Sequence, residues 1–352
     1  MKASWTKKTF HFKFRAKTSR EVLTQKHSWF LVLERDGQRG IGECSIIESL
    51  NPETPAQIES KLNEICDAWN STKLFAEDLS SLPSVQFGFE MAKQDLKNSE
   101  IGILFPSGFT AGKSGIPING LVWMADLESM SNQIEEKLEA GFDCIKLKIG
   151  AHETQEELDL LRALREKHPS SQIEIRVDAN GAFDLEKAKW ALDELAKLEV
   201  HSIEQPIRQG QWKSMGELCK NTPVPIALDE ELIGVTEENE RRELLKEIKP
   251  QYLILKPSLI GGFEQADEWI KLAEKVDAGW WATSALESNI GLNAIAQWVF
   301  TKNSEMPQGL GTGQLYTDNI PSPLTIEKGH LLYQPTSSWD LTTFDKATSH
   351  VD

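Results

Sequence analysis

The stretch Cys144-Ile145-Lys146-Leu147-Lys148-Ile149-Gly150 places two lysines two residues apart inside an apolar run. Because side chains alternate between the faces of a strand, Lys146 and Lys148 are expected on one face and the aliphatic residues on the other. Burial and a neighbouring cation both disfavour the charged form of an amine. The pattern therefore predicts a lysine pKa lowered to about 7 to 8, which suits a general base. An edge strand with both lysines in water is the alternative, and the residues that follow decide between the two.

Four more polar residues each close a short apolar run further along the chain. Asp178, Glu204 and Asp229 are carboxylates, and the fourth residue is Lys256. Counted from Lys148, the intervals are 30, 26, 25 and 27 residues, which is the length of one strand, one helix and two loops. This spacing predicts a parallel (β/α) barrel of the TIM type, in which the carboxyl ends of successive strands converge on one mouth.

Carboxylates that meet at one mouth would repel one another unless a hard divalent cation lay between them. Oxygen ligands alone favour Mg²⁺, with Mn²⁺ as a substitute. Each acid taken singly would more often be a helix N-cap or a solvated loop residue. Together, and flanked by lysines, Asp178, Glu204 and Asp229 predict a metal site.

These motifs resemble, in order, those of the enolase superfamily, in its muconate-lactonizing subgroup: K-x-K at 146–148, D-x-N at 178–180, Glu-Gln-Pro at 204–206, Asp-Glu at 229–230 and Leu-Lys-Pro at 255–257. Within the subgroup the chain most resembles the o-succinylbenzoate synthase family. The resemblance covers nearly the whole chain and includes four more places: Thr18-Ser19-Arg20, Gly42-Glu43-Cys44, Arg176 and Ser284-Ala285-Leu286-Glu287-Ser288.

The resemblance implies a modified barrel of about seven or eight strands, covered by an N-terminal α+β capping domain. It also implies a Mg²⁺-dependent hydro-lyase of menaquinone biosynthesis. Such an enzyme converts 2-succinyl-6-hydroxy-2,4-cyclohexadiene-1-carboxylate to 2-succinylbenzoate. The reaction proceeds by abstraction of the α-proton and formation of a metal-stabilised ene-diolate.

The family mechanism assigns roles to the lysines. It implies that Lys148 takes the α-proton and hands it to the departing hydroxyl, with Lys146 beside it helping to lower its pKa. Lys256 would stabilise the ene-diolate from the other side of the ring. Glu230, next to the last predicted metal ligand, is expected to pair with Lys256 and keep it charged, with a surface position as the alternative.

Five further residues are expected to contact the substrate or orient its partners: Arg20, Arg176, Asn180, Ser284 and Ser288. Arg20 could bind a substrate carboxylate through two hydrogen bonds from its guanidinium group. The alternative is an arginine in a solvent-exposed loop, which the sequence does not distinguish. Arg176 is expected as a polar partner in the mouth, because it shares a strand face with Asp178. For Ser284 and Ser288 the family suggests contact with the succinyl tail, but ordinary loop serines would look no different.

Three other kinds of enzyme in the subgroup carry both lysines and all three acids. They are N-acylamino acid racemases, dipeptide epimerases and cycloisomerases. Dipeptide epimerases usually carry an acidic D-x-D after the eighth strand, where this chain reads Gly309-Leu310-Gly311-Thr312-Gly313. That counts against a cationic dipeptide and leaves racemisation open. A non-catalytic ligand-binding barrel is a second class of function, but it would be expected to have lost a lysine or an acid.

Composition and net charge limit the kinds of partner that can be expected. The chain has 352 residues, 39% hydrophobic residues and a formal net charge of −16, which argues against nucleic acid or an anionic membrane as a partner. The family resemblance implies a small-molecule carboxylate as the substrate. Without an apolar leader or a membrane-length run, we expect a cytoplasmic protein. The scattered cysteines are expected to be buried free thiols: Cys44, Cys66, Cys144 and Cys219. Nothing in the sequence determines the oligomeric state.

We expect three regions: a capping domain at 1–112, the barrel with the active site at 113–318, and a C-terminal segment at 319–352 that returns to the cap. In the cap, strand patterns cover 8–16 and 27–34, Asp36-Gly37 marks a turn, and helical patterns cover 55–68 and 84–97. Two cap loops, at 18–20 and 46–51, are the candidates for substrate contact.

Overall fold

The computed structural model describes residues 1–17, 22–73 and 75–344. Thr18, Ser19 and Arg20 lie outside the described residues, so the substrate contact of Arg20 stays a prediction.

The cap begins with an antiparallel sheet whose strand order is the chain order. Its strands are β1 (Lys2–Lys17), β2 (Val22–Arg35) and β3 (Gln38–Ser45). Asp36 and Gly37 join β2 to β3 with φ values of 54° and 81°. Positive φ at both positions gives the turn a twist that matches the flanking strands, which explains the Asp-Gly pair.

Two helices of the described chain pack on this sheet, α1 (Pro55–Asn70) and α2 (Pro83–Asp95). A capping box formed by Thr54 and Gln57 starts α1. The contact between β3 and α2 is a backbone contact, since a Cβ atom at Gly42 would lie 1.8 Å from the carbonyl oxygen of Gly88. The sheet and the two helices therefore form two closely packed layers.

Strand β4 (Ile116–Pro117) leads into a parallel sheet that has seven strands within the described residues, in chain order. These are β5 (Gly120–Val122), β6 (Cys144–Lys148), β7 (Glu174–Asp178), β8 (Ser202–Glu204), β9 (Ile226–Leu228), β10 (Tyr252–Leu255) and β11 (Gly279–Ala282). Helices follow the strands: α3 (Leu127–Glu139), α4 (Thr154–Lys167), α5 (Leu185–Lys197), α6 (Trp212–Asn221), α7 (Glu238–Ile248), α8 (Pro257–Ile260), α9 (Gly262–Glu274) and α10 (Asn289–Phe300).

The predicted eighth strand is reduced to single bridges. Gln308 pairs in parallel with Ile118, and Gly309 pairs in parallel with Thr283. This short segment connects the two edges of the sheet, so the barrel is closed without a full eighth strand. The predicted fold class, a modified barrel with an N-terminal α+β cap, is confirmed.

The C-terminal segment forms β12 (Leu324–Glu327) and β13 (His330–Tyr333), which pair with each other and with β4. The chain then reaches the cap. Arg39 donates to the carbonyl oxygen of Phe344 at 2.6 Å, and the Phe344 ring packs on Phe30 at 5.0 Å between centroids.

One hydrophobic core contains residues of both domains. Phe10, Phe30 and Phe87 of the cap belong to the same buried cluster as Ile145 and Leu147 of the barrel. The four cysteines are buried free thiols, as predicted. Across the described residues, the structure has no helix that is both long enough and apolar enough to cross a membrane.

Candidate active site

Strand β6 delivers its two lysines to the interior of the barrel. The pairing register sets Lys148 opposite Asp178, and Asp178 opposite Glu204 on the next strand. The lysine side chains are 7% exposed for Lys146 and 12% for Lys148. The edge strand in water is thus excluded.

The amines lie among the predicted metal ligands. Lys146 Nζ is 2.5 Å from Glu204 Oε2 and 3.2 Å from Asp178 Oδ2, while Lys148 Nζ is 3.0 Å from the same Asp178 oxygen. Lys256, directly after β10, donates to Asp229, directly after β9. Six charged side chains from five consecutive strand ends therefore meet at one end of the barrel.

The sequence pattern predicts a lowered pKa for one of its two lysines, but Lys146 does not have one in this arrangement. Burial by itself lowers the pKa of Lys146, but the charges of Asp178 and Glu204 outweigh burial and raise it above the usual value. The pKa of Lys256 is also raised, because Asp229 and Glu204 outweigh the effect of burial. The sequence showed the neighbouring cation but not how closely the acids would approach it.

The pKa values of the three acids are shifted in different directions. Burial raises the pKa of Glu204 to about 8, and the charge of Asp178 adds to this. Burial likewise raises the pKa of Asp229. Burial also acts on Asp178, but Lys146, Lys148 and Lys256 together hold its pKa well below the usual range. Burial therefore outweighs the attraction of the amines at Glu204 and Asp229, whereas the amines outweigh burial at Asp178.

The three acids offer the oxygen donors that a hard divalent cation prefers. All three acids are buried, and Glu204 Oε1 accepts no hydrogen bond from any of the described residues. A buried carboxylate oxygen without a partner is costly unless it meets a cation. In the described part of the chain no group of three His, Cys, Asp or Glu side chains is spaced to hold a metal ion, and the lysine amines make the closest contacts to the acids.

Asn180 links the lysine of β6 to Glu230. Its Oδ1 accepts from Lys148 Nζ at 2.7 Å, and its Nδ2 donates to Glu230 Oε1 at 3.1 Å. The residue adopts a φ of 44°, in the left-handed region that asparagine tolerates. Glu230 also adds to the charge that raises the pKa of Lys256. Asn180 is thus placed to orient Lys148.

A cavity of about 690 Å³ opens over these groups. Lys146, Lys148, Asp178, Asn180, Glu230 and Lys256 line its floor. Of the two cap loops named from the sequence, the one at 46–51 reaches the cavity through Ile47, Ser49 and Leu50. Glu204 and Asp229 lie beneath the floor, each side chain 2% exposed.

Two residues expected to contact the substrate lie elsewhere. Arg176 is inside the barrel below the mouth, where it donates to Glu174 at 2.6 Å and to the Pro307 carbonyl at 2.9 Å and stacks on Trp281. Ser288 is fully buried and caps α10. Neither residue lines the cavity, so the structure gives no support for a substrate contact at either position. Ser284 does line it, and it donates to Glu287 at 2.5 Å.

The cavity wall also contains residues that the sequence did not single out. Phe14 is 41% exposed, and its ring packs edge-on against Trp123 at 5.6 Å between centroids. Both line the cavity, as does Arg15. The alternation Phe10, Phe12, Phe14 marked one face of β1, but it could not distinguish a core position from a cavity wall.

Two family models match the chain. Residues 129–336 match the enolase C-terminal domain-like family, and residues 14–96 match the N-terminal domain of MenC. The o-succinylbenzoate synthase of Desulfotalea psychrophila is 44% identical, over 94% of this chain and 98% of that protein. The chain belongs to the o-succinylbenzoate synthase family of the enolase superfamily.

Solved structures of the superfamily agree with this fold. MenC from Desulfotalea psychrophila superposes with a TM-score of 0.85 at 41% identity, covering 94% of this chain and 99% of that one. A muconate lactonizing enzyme from Pseudomonas fluorescens gives a TM-score of 0.80 at 21% identity, with 96% of each chain covered. The second likeness concerns the fold alone. Enzymes of the enolase superfamily use a divalent metal, which agrees with the donor set described above.

Proposed function

We propose that this member of the o-succinylbenzoate synthase family dehydrates 2-succinyl-6-hydroxy-2,4-cyclohexadiene-1-carboxylate to 2-succinylbenzoate, with Lys148 as the base and Lys256 as the electrostatic partner. The observation that carries these roles is the placement of both amines on the floor of one cavity, with Lys148 against Asp178 and Lys256 against Asp229. The family identity supports the dehydratase activity, a hydro-lyase reaction.

The reaction needs one group that moves a proton. Lys148, as the neutral amine, removes the proton α to the substrate carboxylate, and the electron pair enters the carboxylate to give an ene-diolate. The same ammonium then returns the proton to the departing hydroxyl, which leaves as water while the ring becomes aromatic. One lysine on one face serves both steps, so the products are 2-succinylbenzoate and water.

Lys256 is suited to stabilise the charge that forms. Its raised pKa keeps it cationic, and its amine is fixed by Asp229 on the neighbouring strand end. A cation already in position requires no reorganisation when the second negative charge develops on the substrate. Glu230 contributes to holding this lysine charged.

Asp178, Glu204 and Asp229 would hold the Mg²⁺. When bound, it would supply positive charge for the substrate carboxylate and would compete with the lysines for the three acids. Asn180 accepts from Lys148 at 2.7 Å, so it would still orient that amine on the cavity floor if Asp178 bound the Mg²⁺.

The test is a turnover assay on the purified full chain. We expect absorbance of the aromatic product to rise with the cyclohexadiene as substrate, to stop after treatment with EDTA, and to return on adding Mg²⁺. Enzyme without substrate and substrate with EDTA alone are the controls. No turnover of the cyclohexadiene, together with fast α-proton exchange in an N-acylamino acid, would favour the racemase. No reaction with either compound would favour a binding protein.

A further inference from the structure

Glu43 of the cap sheet reaches across the domain boundary into a barrel helix. Its carboxylate is fully buried and accepts from four donors. Oε1 accepts from the Ser28 hydroxyl at 2.7 Å and from the Ser288 backbone N–H at 2.9 Å. Oε2 accepts from the Ser288 hydroxyl at 2.6 Å and from the Gly291 N–H at 2.9 Å. Three of the four donors therefore belong to the start of α10, where a negative charge is favoured by the unpaired N–H groups and the helix dipole.

The helix packs closely against this carboxylate. A Cβ atom at Gly291 would lie 3.0 Å from Glu43 Oε2 and 2.7 Å from Glu287 Cβ, so the helix can approach this closely only with glycine there. Lys26 is buried nearby and donates to Ser45. Burial lowers the pKa of Lys26, and the charges of Glu43 and Glu287 oppose this effect.

The loop just before α10 forms part of the cavity wall. Thr283, Ser284, Ala285 and Leu286 all line the cavity. Leu286 adopts a φ of 64°, a left-handed conformation that a bulky side chain rarely takes and that persists only when its surroundings impose it. The Tyr316 hydroxyl donates to the Leu286 carbonyl at 2.7 Å, and the Ser288 anchor follows two residues later.

Hydrogen bonds continue from this anchor to the cavity surface. Glu287 accepts from Ser284 at 2.5 Å and also from Ser258, two residues after Lys256. Thr312 donates to the Ser284 hydroxyl at 2.8 Å. The loop is therefore held at both ends, by the barrel at Ser284 and by the cap at Ser288.

We propose that Glu43 is a positioning residue that fixes the cavity loop at 283–286, through Ser288 and the first turn of α10, in the shape that receives the non-reacting part of the substrate. The inference rests on the proposed function for its kinetic readout. The loop carries no proton-transfer group, so its displacement weakens binding of the substrate more than it slows the chemistry.

Glu43→Gln is the sharpest variant, because four donors surround the group and an amide nitrogen cannot accept from any of them. We expect KM to rise about tenfold with kcat within about twofold of the wild type. Amide hydrogen exchange at 283–288 should become faster. Asp95→Asn is the matched control: Asp95 is also a buried cap carboxylate that accepts two backbone N–H groups, from Ile41 and Gly102, but it does not touch this loop.

Wild-type KM with wild-type exchange in Glu43→Gln would overturn the proposal, as would an equal rise of KM in Asp95→Asn. If Glu43→Gln does not fold, Ser288→Ala removes the hydroxyl donor at 2.6 Å and is measured in the same way, with the same expected direction. The exchange measurement does not depend on turnover. An inactive wild type therefore contradicts the proposed function, whereas unchanged loop exchange in the variants contradicts the role of Glu43.

Discussion

At the scale of the residue, Lys148 is the side chain on which the proposed reaction depends most. Lys148→Ala removes the base but leaves Asp178 in contact with Lys146, so the fold should persist. We expect kcat for dehydration to fall by about 10³-fold, which is within the usual contribution of a positioned general base. The rate of product absorbance and a thermal melt of the same sample measure both effects. Near-normal turnover would remove Lys148 from its role.

Lys256 should show a different kinetic signature. Lys256→Met keeps the length of the side chain and removes the charge, and Lys256→Arg keeps the charge and changes its geometry. Because the charge is needed only when the ene-diolate forms, we expect Lys256→Met to lower kcat by about 10²-fold or more with a smaller change in KM. Lys256→Arg should lose less. A variant that raised KM alone would indicate a role in substrate binding and not in charge stabilisation.

The sequence could not specify how deep a side chain lies in the barrel or how far its atoms lie from their neighbours. Alternation along β7 correctly placed Arg176 on the face of Asp178, but two residues along a strand amount to about 7 Å, which puts the arginine below the mouth. The pKa of Lys146 depends on atomic distances to Asp178 and Glu204 that no spacing specifies. For Ser288 a signal did exist: a serine directly before the apolar helix at 289–300 is typical of an N-cap.

At the scale of the element, even intervals between polar strand ends were enough to predict the barrel. Each interval contained one amphipathic helix, and the register then brought Lys148, Asp178 and Glu204 level with one another. The eighth strand was less predictable. The segment at 308–312 has the apolar and glycine content of a strand end, yet within the described residues it pairs through single bridges to Ile118 and Thr283. Pairing of so short a segment is determined by its neighbours and not by its own composition.

The contact between α2 and α9 predicts a pH dependence of stability. Glu90 accepts from the Phe263 N–H at 2.6 Å, and burial raises its pKa from 4.5 to about 7. Between these values the folded protein keeps a proton on Glu90 that the unfolded chain releases. The free energy of unfolding therefore decreases as the pH rises through this interval, by about 3 kcal/mol from this group.

Glu90→Gln should remove that decrease. Chemical denaturation at pH 5 and pH 8 measures it, and the difference in unfolding free energy between variant and wild type should grow in favour of the variant towards pH 8. Glu139→Gln, a change at an exposed acid on α3, is the control and should follow the wild-type pH profile. Parallel pH profiles for Glu90→Gln and the wild type would show that Glu90 is ionised in the folded protein throughout.

At the scale of the whole molecule, the shared core predicts that cap and barrel unfold together. Phe30 of the cap sheet is fully buried in the cluster that also contains barrel residues, and its ring contacts Phe10 and Phe344. Phe30→Ala should lower the free energy of unfolding by about 3 kcal/mol through the cavity that it leaves. Because the core is continuous across the domain boundary, calorimetry should give one transition that moves to lower temperature without splitting.

Trp190→Ala, at a side chain that is 41% exposed on α5, should leave the transition in place. A second transition that stays at the wild-type temperature in Phe30→Ala would mean that the barrel is stable without its cap, and the cavity wall that Glu43 anchors would then be a contact between two independent domains.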